Sequence, residues 1–293
     1  MKGFIESVCK TDEQVYTKMG ACSMFEGTPL GFIFHDKNEA FSLNGDTFNS
    51  EIKSGIIALN TKRVTPLFGA ITDYQVTGGD VRTSQEGFGP EVPTGLNAKR
   101  VDYIIDKGGL CLLMQLKKLN GREVRIFQVD MSNRAFGTVA TLDGVDKFRG
   151  FLATVWVTKR DNTGSQNGAI ILSVFFSAKY ESEENNLASL VLSEEYEGLT
   201  GVVLQKTATG KAKFVIACSK DDLTSKYGSD LNDETLYVDS AGQNPSAVAY
   251  SSSTSELTFT PTGSYKIADA TVLNSAGIEG YEGENTYTNL ASA

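Results

Sequence analysis

The sequence holds a single histidine, His35, in 293 residues, with one tryptophan, six prolines and four cysteines. One imidazole excludes a histidine-rich metal site and any relay between two histidines. Cys9, Cys22, Cys111 and Cys218 show no short metal-ligand spacing, and their density is far below that of a disulfide scaffold. They read as reduced thiols, with Cys111 and Cys218 in apolar strands. Long apolar runs are missing too. The best, Gly168 to Ala178 (GAIILSVFFSA), is strand-length and too short for a spanning helix, so no membrane insertion is expected. The start MKGFIESVCKTDEQ lacks the apolar stretch of a secretory signal, which points to synthesis in a cytoplasm.

Basic residues are also in short supply. Lys and Arg total 27 against 36 Asp and Glu, a formal −9. Sequence-independent nucleic-acid binding needs cations to displace phosphate counterions, and this balance argues against it. The deficit is local. Residues 1–180 carry 21 bases and 19 acids, a net +2, whereas residues 181–293 carry 6 and 17, a net −11. Such asymmetry predicts two bodies with different surfaces, 1–195 and an acidic 196–293.

What is present is mostly strand signal. Val101-Asp-Tyr-Ile-Ile is β-branched and aromatic. Leu110 to Leu119 reads as a buried strand or a short helix, followed by the turn Asn120-Gly121 and the alternating run Glu123 to Asp130. Gly150 to Thr158 and Ala169 to Tyr180 flank a turn-rich segment, and Val202 to Lys206 meets Lys213 to Cys218 across Thr209-Gly210. Three such hairpins predict a mainly β chain: an antiparallel sandwich or barrel body, then a C-terminal immunoglobulin-like sandwich without the cysteine and tryptophan core of antibody domains. Helices are expected only at Asp12 to Met19, Leu223 to Tyr227 after Ser219-Lys-Asp-Asp222, and Ala268 to Asn274. Thr77 to Gly95 (TGGDVRTSQEGFGPEVPTG) has no apolar periodicity and reads as a long connector, a length usually reserved for function.

Candidate chemistry is thin. His35 lies at a strand end with Asp36 adjacent, where strand side chains point to opposite faces, so it reads as a turn or surface histidine and not as a general base. Cys9 or Cys22 would need His35 as a partner to act as a nucleophile. Thr77 to Asp80 and Gly87 to Pro90 lack the Lys-Ser/Thr ending of a phosphate loop. The turns Asp161 to Asn167 and Asn44-Gly-Asp46 lack the alternating ligands and closing glutamate of a calcium loop. Glu183-Glu184 and Glu194-Glu195 are adjacent acids near a linker, and sequence spacing gives them no cleft to span. No catalytic residue, cofactor or metal is expected, and the chain reads as a non-enzyme.

The order of parts resembles the structural proteins of tailed bacteriophages, in particular tail-tube proteins and portal-to-tail rings: the plain start Met1 to Glu6, the long loop Thr77 to Gly95, the hairpins of Leu110 to Asp130 and Gly150 to Tyr180, and an acidic module from about Gly198. The resemblance implies a virion protein made in the host cytoplasm that closes into rings, hexamers ahead of dodecamers. It implies contacts with other tail or portal proteins, and DNA sliding through the lumen without specific binding. In that setting the long loop contacts the next ring, through Gly79, Arg82, Glu86, Phe88 and Pro90. A capsid decoration protein, or a carbohydrate-binding adhesin using Tyr237, Tyr250, Phe259, Tyr265, Tyr281 and Tyr287, is the alternative.

Overall fold

The computed structural model describes residues 5–8 (backbone only), 27–59, 61–85, 87–165, 167–177 and 186–291. The expected helix at Asp12 to Met19, and Cys9, Cys22, Glu86 and Glu183-Glu184, lie outside the described residues. The chain forms two compact units, residues 1–55 with 62–197, and residues 56–61 with 198–293. Six of the seventeen C-terminal acids fall in residues 181–197, so the second unit carries eleven acids against six bases, a net −5.

Unit one is one antiparallel sheet of eleven strands: β1 (Ile5–Val8), β2 (Pro29–Asp36), β3 (Val64–Phe68), β4 (Ile71–Thr77), β7 (Arg100–Ile105), β8 (Glu123–Asp130), β9 (Arg134–Leu142), β10 (Val145–Arg149), β11 (Phe151–Arg160), β12 (Ala169–Phe176) and β13 (Leu187–Val191), with β5 (Val81–Ser84) and β6 (Val92–Leu96) forming a separate hairpin. Its main order is β1-β13-β9-β8-β11-β12-β7-β4; β10 lies on β9, and β2 lies on β8 and carries β3.

Among the described residues, two helices lie wholly or mostly in this unit. In α1 (Gly45–Ile57), Asn44 accepts the Thr47 N–H at 3.1 Å, and Phe48, Ile52 and Gly55 recur at helical spacing on the buried side. Asn44-Gly-Asp46 is thus a helix start, a signal the turn reading of the sequence missed. In α2 (Gly109–Leu116), Leu113 and Leu116 pack into the core, and a 3₁₀ turn, Lys117–Leu119, follows. The expected hairpin from Leu110 to Asp130 is corrected: its first arm is helical, because its apolar residues fall three apart on one face. The hairpin β11–β12 and, in unit two, that of Thr200–Ala208 with Lys211–Ile216 form as expected. A hairpin the sequence reading overlooked, β9–β10, turns at Asp143-Gly144, both at positive φ (51° and 76°), the demand of a two-residue hairpin loop.

The chain leaves β10 for β11 at Gly150, where pairing passes from β9 to β8. A Cβ on Gly150 would lie 2.6 Å from the Ile126 backbone, so only glycine fits this crossing. Its peptide groups are held by buried side chains from other strands. The Gly150 N–H donates to His35 Nε2 at 3.0 Å, and Arg125 Nη1 donates to the Gly150 carbonyl at 2.6 Å. His35 Nδ1 donates in turn to the Asp36 carbonyl at 2.9 Å. His35 is 3% exposed and stacks on Phe127 beside Phe41, so the expected turn or surface histidine is corrected to a buried strand residue. Burial first, then the charge of Arg125 and more weakly Arg149, hold its pKa down to about 3, against the opposing bond to Asp36.

A second buried lock closes the β8–β9 turn. Asp130 and Arg134 are 2% and 8% exposed, and Arg134 donates Nε and Nη2 to Asp130 Oδ2 at 3.0 and 2.7 Å. Asp130 Oδ1 also accepts the Ser132 and Arg134 N–H groups.

Unit two contains β14 (Thr200–Ala208), β15 (Lys211–Ile216), β16 (Tyr237–Asp239), β17 (Ala247–Ser251), β18 (Glu256–Thr260), β19 (Ser264–Ile267), β20 (Tyr281–Gly283) and β21 (Thr288–Asn289). A five-stranded sheet, β17-β18-β15-β14-β20, and a three-stranded one, β16-β19-β21, share a core that includes Leu204, Phe214, Leu236, Tyr237, Phe259 and Ile267. The short helices α3 (Thr224–Tyr227) and α4 (Ala270–Ser275) stand where the sequence placed them. Asp222 rather than Ser219 accepts the Thr224 N–H, and Asp269 caps α4.

The cysteine reading is also corrected. Cys111 sits half-buried on α2 and Cys218 in an exposed turn, and both are disulfide-bonded. Neither lies in a strand whose packing would seclude a thiol.

Two predictions follow from these locks. Arg134→Ala strands a buried carboxylate and should cost about 3–5 kcal/mol in urea unfolding; a loss below about 1 kcal/mol would show the pair to be dispensable. Because the folded His35 pKa lies below its ordinary 6.5, the unfolded chain binds a proton the folded chain refuses, and stability falls as pH drops below 6.5. Relative to pH 7.5, the His35 contribution at pH 5 should shrink by roughly 2 kcal/mol. His35→Gln should therefore show a shallower loss over that range, and equal slopes for the two chains would refute the assignment.

Candidate assembly surface

Strands β11, β12, β7 and β4 form a run of sheet with one face in the core and one in solvent. Along β7, Val101, Tyr103 and Ile105 are buried while Arg100, Asp102 and Ile104 point outward, the period of two that a half-buried strand requires. Registration with β12 sets Ile171, Ser173 and Phe175 on the same outer face, and β11 adds Trp156, Thr158 and Arg160. Asp73 and Gln75 pair with Ile104 and Asp102 and extend this face onto β4. The outer residues surround a shallow groove of about 430 Å³.

The groove is polar at its centre and aromatic at its sides. Arg100 donates Nε and Nη2 to the two Asp102 oxygens at 2.9 and 2.5 Å, and the Ser173 hydroxyl donates to Asp102 Oδ1 at 2.5 Å. The guanidinium of Arg100, and then Ser173, hold the Asp102 carboxyl below the usual carboxylate range despite its partial burial. Arg100 also lies 5.4 Å from the centre of the Phe175 ring. Asp73 and Asp102 against Arg100 and Arg160 leave the face with no net charge.

One margin of this run, at β4, is open; at the other, residues 120–122 cover β11 beyond its pairing with β8. Among the described residues β4 pairs only with β7, and β11 pairs with β8 only as far as Thr154. Farther along β11, the Asn120 amide takes the place of a strand, accepting the Val157 N–H at 2.7 Å and donating to the Val157 carbonyl. An open edge is a template for another strand.

The segment expected to be an unstructured connector is instead a hairpin, a correction with a simple cause. Val81↔Leu96 and Ser84↔Val92 pair, and valines at both arms supply the strand preference that the many glycines obscured. Gly78 and Gly79, at φ 75° and 80°, join it to β4, and a Cβ on Gly78 would lie 1.9 Å from the Ala98 carbonyl oxygen. Of the expected contact residues, Gly79 is therefore part of the hinge. Arg82 is committed across the hairpin to Thr94, and Phe88 and Pro90 are exposed at the tip. The Phe88 side chain is wholly exposed, at 109%.

The other sequence candidates are dispersed. Asp36 accepts the Asn38 N–H and does not orient the His35 ring. Asp161 pairs with Lys159, and Glu194 lies 3.6 Å from Lys53. No cluster of three metal-ligating side chains occurs among the described residues. In unit two, Tyr237, Phe259 and Tyr265 are buried core residues, and burial pushes the Tyr237 hydroxyl well up from its usual range. Tyr250 and Tyr281 are half-buried and Tyr287 is exposed. The sequence reading missed Lys226, whose Nζ stands 4.9 Å from the Tyr227 ring centre and 5.5 Å from that of Tyr281.

In comparisons with known proteins, the chain matches no family model, no curated protein and no solved structure.

Proposed function

We propose that the chain is a structural protein of a tailed-bacteriophage virion, a tail-tube or portal-to-tail ring subunit that closes into rings. One observation carries this reading: a four-strand run of sheet with a core-facing side, a charge-balanced outer side and an open margin at β4. Pairing the β4 margin with another copy would cover that edge, and closure into a barrel between copies is the arrangement that leaves none. The outer face then lines the lumen. With no net charge it offers a polyanion neither a cationic trap nor strong repulsion, so DNA passes without being held. Rings, hexamers ahead of dodecamers, would meet other tail or portal proteins at their ends, and the acidic second unit would keep the particles soluble. The groove is read as lumen wall, not as a catalytic centre.

The disulfides at Cys111 and Cys218 favour a second reading, a secreted carbohydrate-binding adhesin, because such bonds persist in oxidising surroundings. A virion meets those surroundings only after release from its host.

Negative-stain microscopy of the concentrated protein separates the two. Stacked hollow tubes support a tube subunit, isolated rings support a connector, and persistent monomers with glycan binding support the adhesin. Deleting residues 84–91 should leave the subunit folded and abolish stacking; tubes that persist would remove the hairpin from the contact. Trp156, the only tryptophan, should stay open to acrylamide quenching in the assembled state, and its protection would move the lumen to another face.

A further inference from the structure

Two exposed apolar features lie at opposite ends of one strand. The β5–β6 hairpin joins the sheet where β7 begins, at Arg100, and it exposes Val81, Phe88 and Val92. Helix α2 starts four residues after β7 ends at Ile105, and it exposes Leu110 and Met114 at 70% and 62%. Six residues of strand separate the two features by about 20 Å along the strand direction. Leu110 and Met114 are four apart, so they form one stripe on the side of α2 away from the buried Leu113 and Leu116. Neither feature can cover the other within one subunit without bending β7 back on itself.

Their charges are opposite. The hairpin sequence carries Asp80, Glu86 and Glu91 against Arg82, whereas α2 is flanked by Lys107, Lys117 and Lys118 against Asp106. Lys117 and Lys118 are exposed directly beyond the apolar stripe. Patches that differ from each other and lie at opposite ends of a body make a head-to-tail contact, which repeats without closing.

We infer that α2 is the docking site for the β5–β6 hairpin of a second copy of this chain, with the exposed Phe88 of the hairpin tip laid over Leu110 and Met114 and the hairpin acids set among the flanking lysines. This rests on the stacked-ring reading and supplies the acceptor that the reading lacks. A two-stranded hairpin is marginal alone, and docking gives it an apolar face to rest on. Each copy donates at one end and accepts at the other, so stacks grow in one direction.

The test uses the full chain. Leu110→Glu combined with Met114→Glu should leave the thermal melt unchanged and rings intact, but reduce stacked tubes at least tenfold by microscopy and sedimentation. In parallel, a photo-crosslinking benzoylphenylalanine at position 114, in mixed ¹⁴N and ¹⁵N protein, should form inter-chain bonds that map to residues 77–97. Undiminished stacking of the double variant would overturn the inference while leaving the ring reading in place. Inter-chain crosslinks elsewhere, or crosslinks within one chain to residues 9–26, would do the same. A wild-type chain that stays monomeric at high concentration overturns both.

Discussion

Unit one depends on the satisfaction of one peptide. Where β10 passes into β11, Gly150 cannot use strand pairing for its own N–H and carbonyl, and both lie in the interior. A buried peptide group without a partner costs on the order of 1–3 kcal/mol. His35 from β2 and Arg125 from β8 supply the missing acceptor and donor. That pair of bonds lets a single chain serve β9 with its first half and β8 with its second. The transfer turns one long ribbon into a wall packed on both sides: Phe32, Phe34 and Ile126 fill one layer, and Phe41, Phe48, Phe127 and Phe148 fill the other. The four-strand run that ends at the open β4 margin hangs from the β11 side of this transfer. Burial, and then the charges of Arg125 and Arg149, keep the His35 ring neutral there.

Much of the β architecture was legible because it is written locally. Thr209-Gly210 and the turn after Thr158 announce their hairpins by residue type, and Asp269 and Gly277 bracket α4. What was hidden is long-range. Nothing near His35 in sequence shows that a glycine 115 positions away needs an acceptor. The run from Leu110 to Leu119 is apolar enough to serve as strand or helix, and only packing of Leu113 and Leu116 against the sheet decides it. The Thr77 to Gly95 stretch misled for a different reason: its glycines are there for the hinge and the turn, while the pairing is carried by a few valines. Asn44 was visible as a turn former, and the same side-chain oxygen that makes a turn also starts α1.

The candidate surface and the segment singled out in the sequence are different parts of unit one. The sequence marked the hairpin segment as unusual, and Phe88 and Pro90 are where a contact loop would expose them. It did not reveal the outer face of the neighbouring sheet, because Arg100, Asp102, Trp156, Ser173 and Phe175 come from three strands and converge only through register. Charge separates in the same way. The net charge of the chain describes neither the neutral groove face nor the segment 181–197, which holds six glutamates that the second unit does not own.

The hairpin has a physical cost that constrains how the molecule is used. Its strands are exposed along most of their length, so almost no apolar burial opposes the entropy of ordering them. The Gly79 and Asn97 ladder bonds and the Asn97–Asp80 side-chain pair close its base by joining its two arms to each other. Among the described residues, little of its apolar surface is covered. Strand β4 is in a similar position, since it is exposed along all but its first residue and holds a single neighbour among the described residues. The two least self-sufficient elements of the unit are therefore consecutive in sequence, β4 leading directly into the hairpin. A strand added to the free edge of β4 would therefore also hold the base, Gly78 and Gly79, from which the hairpin extends.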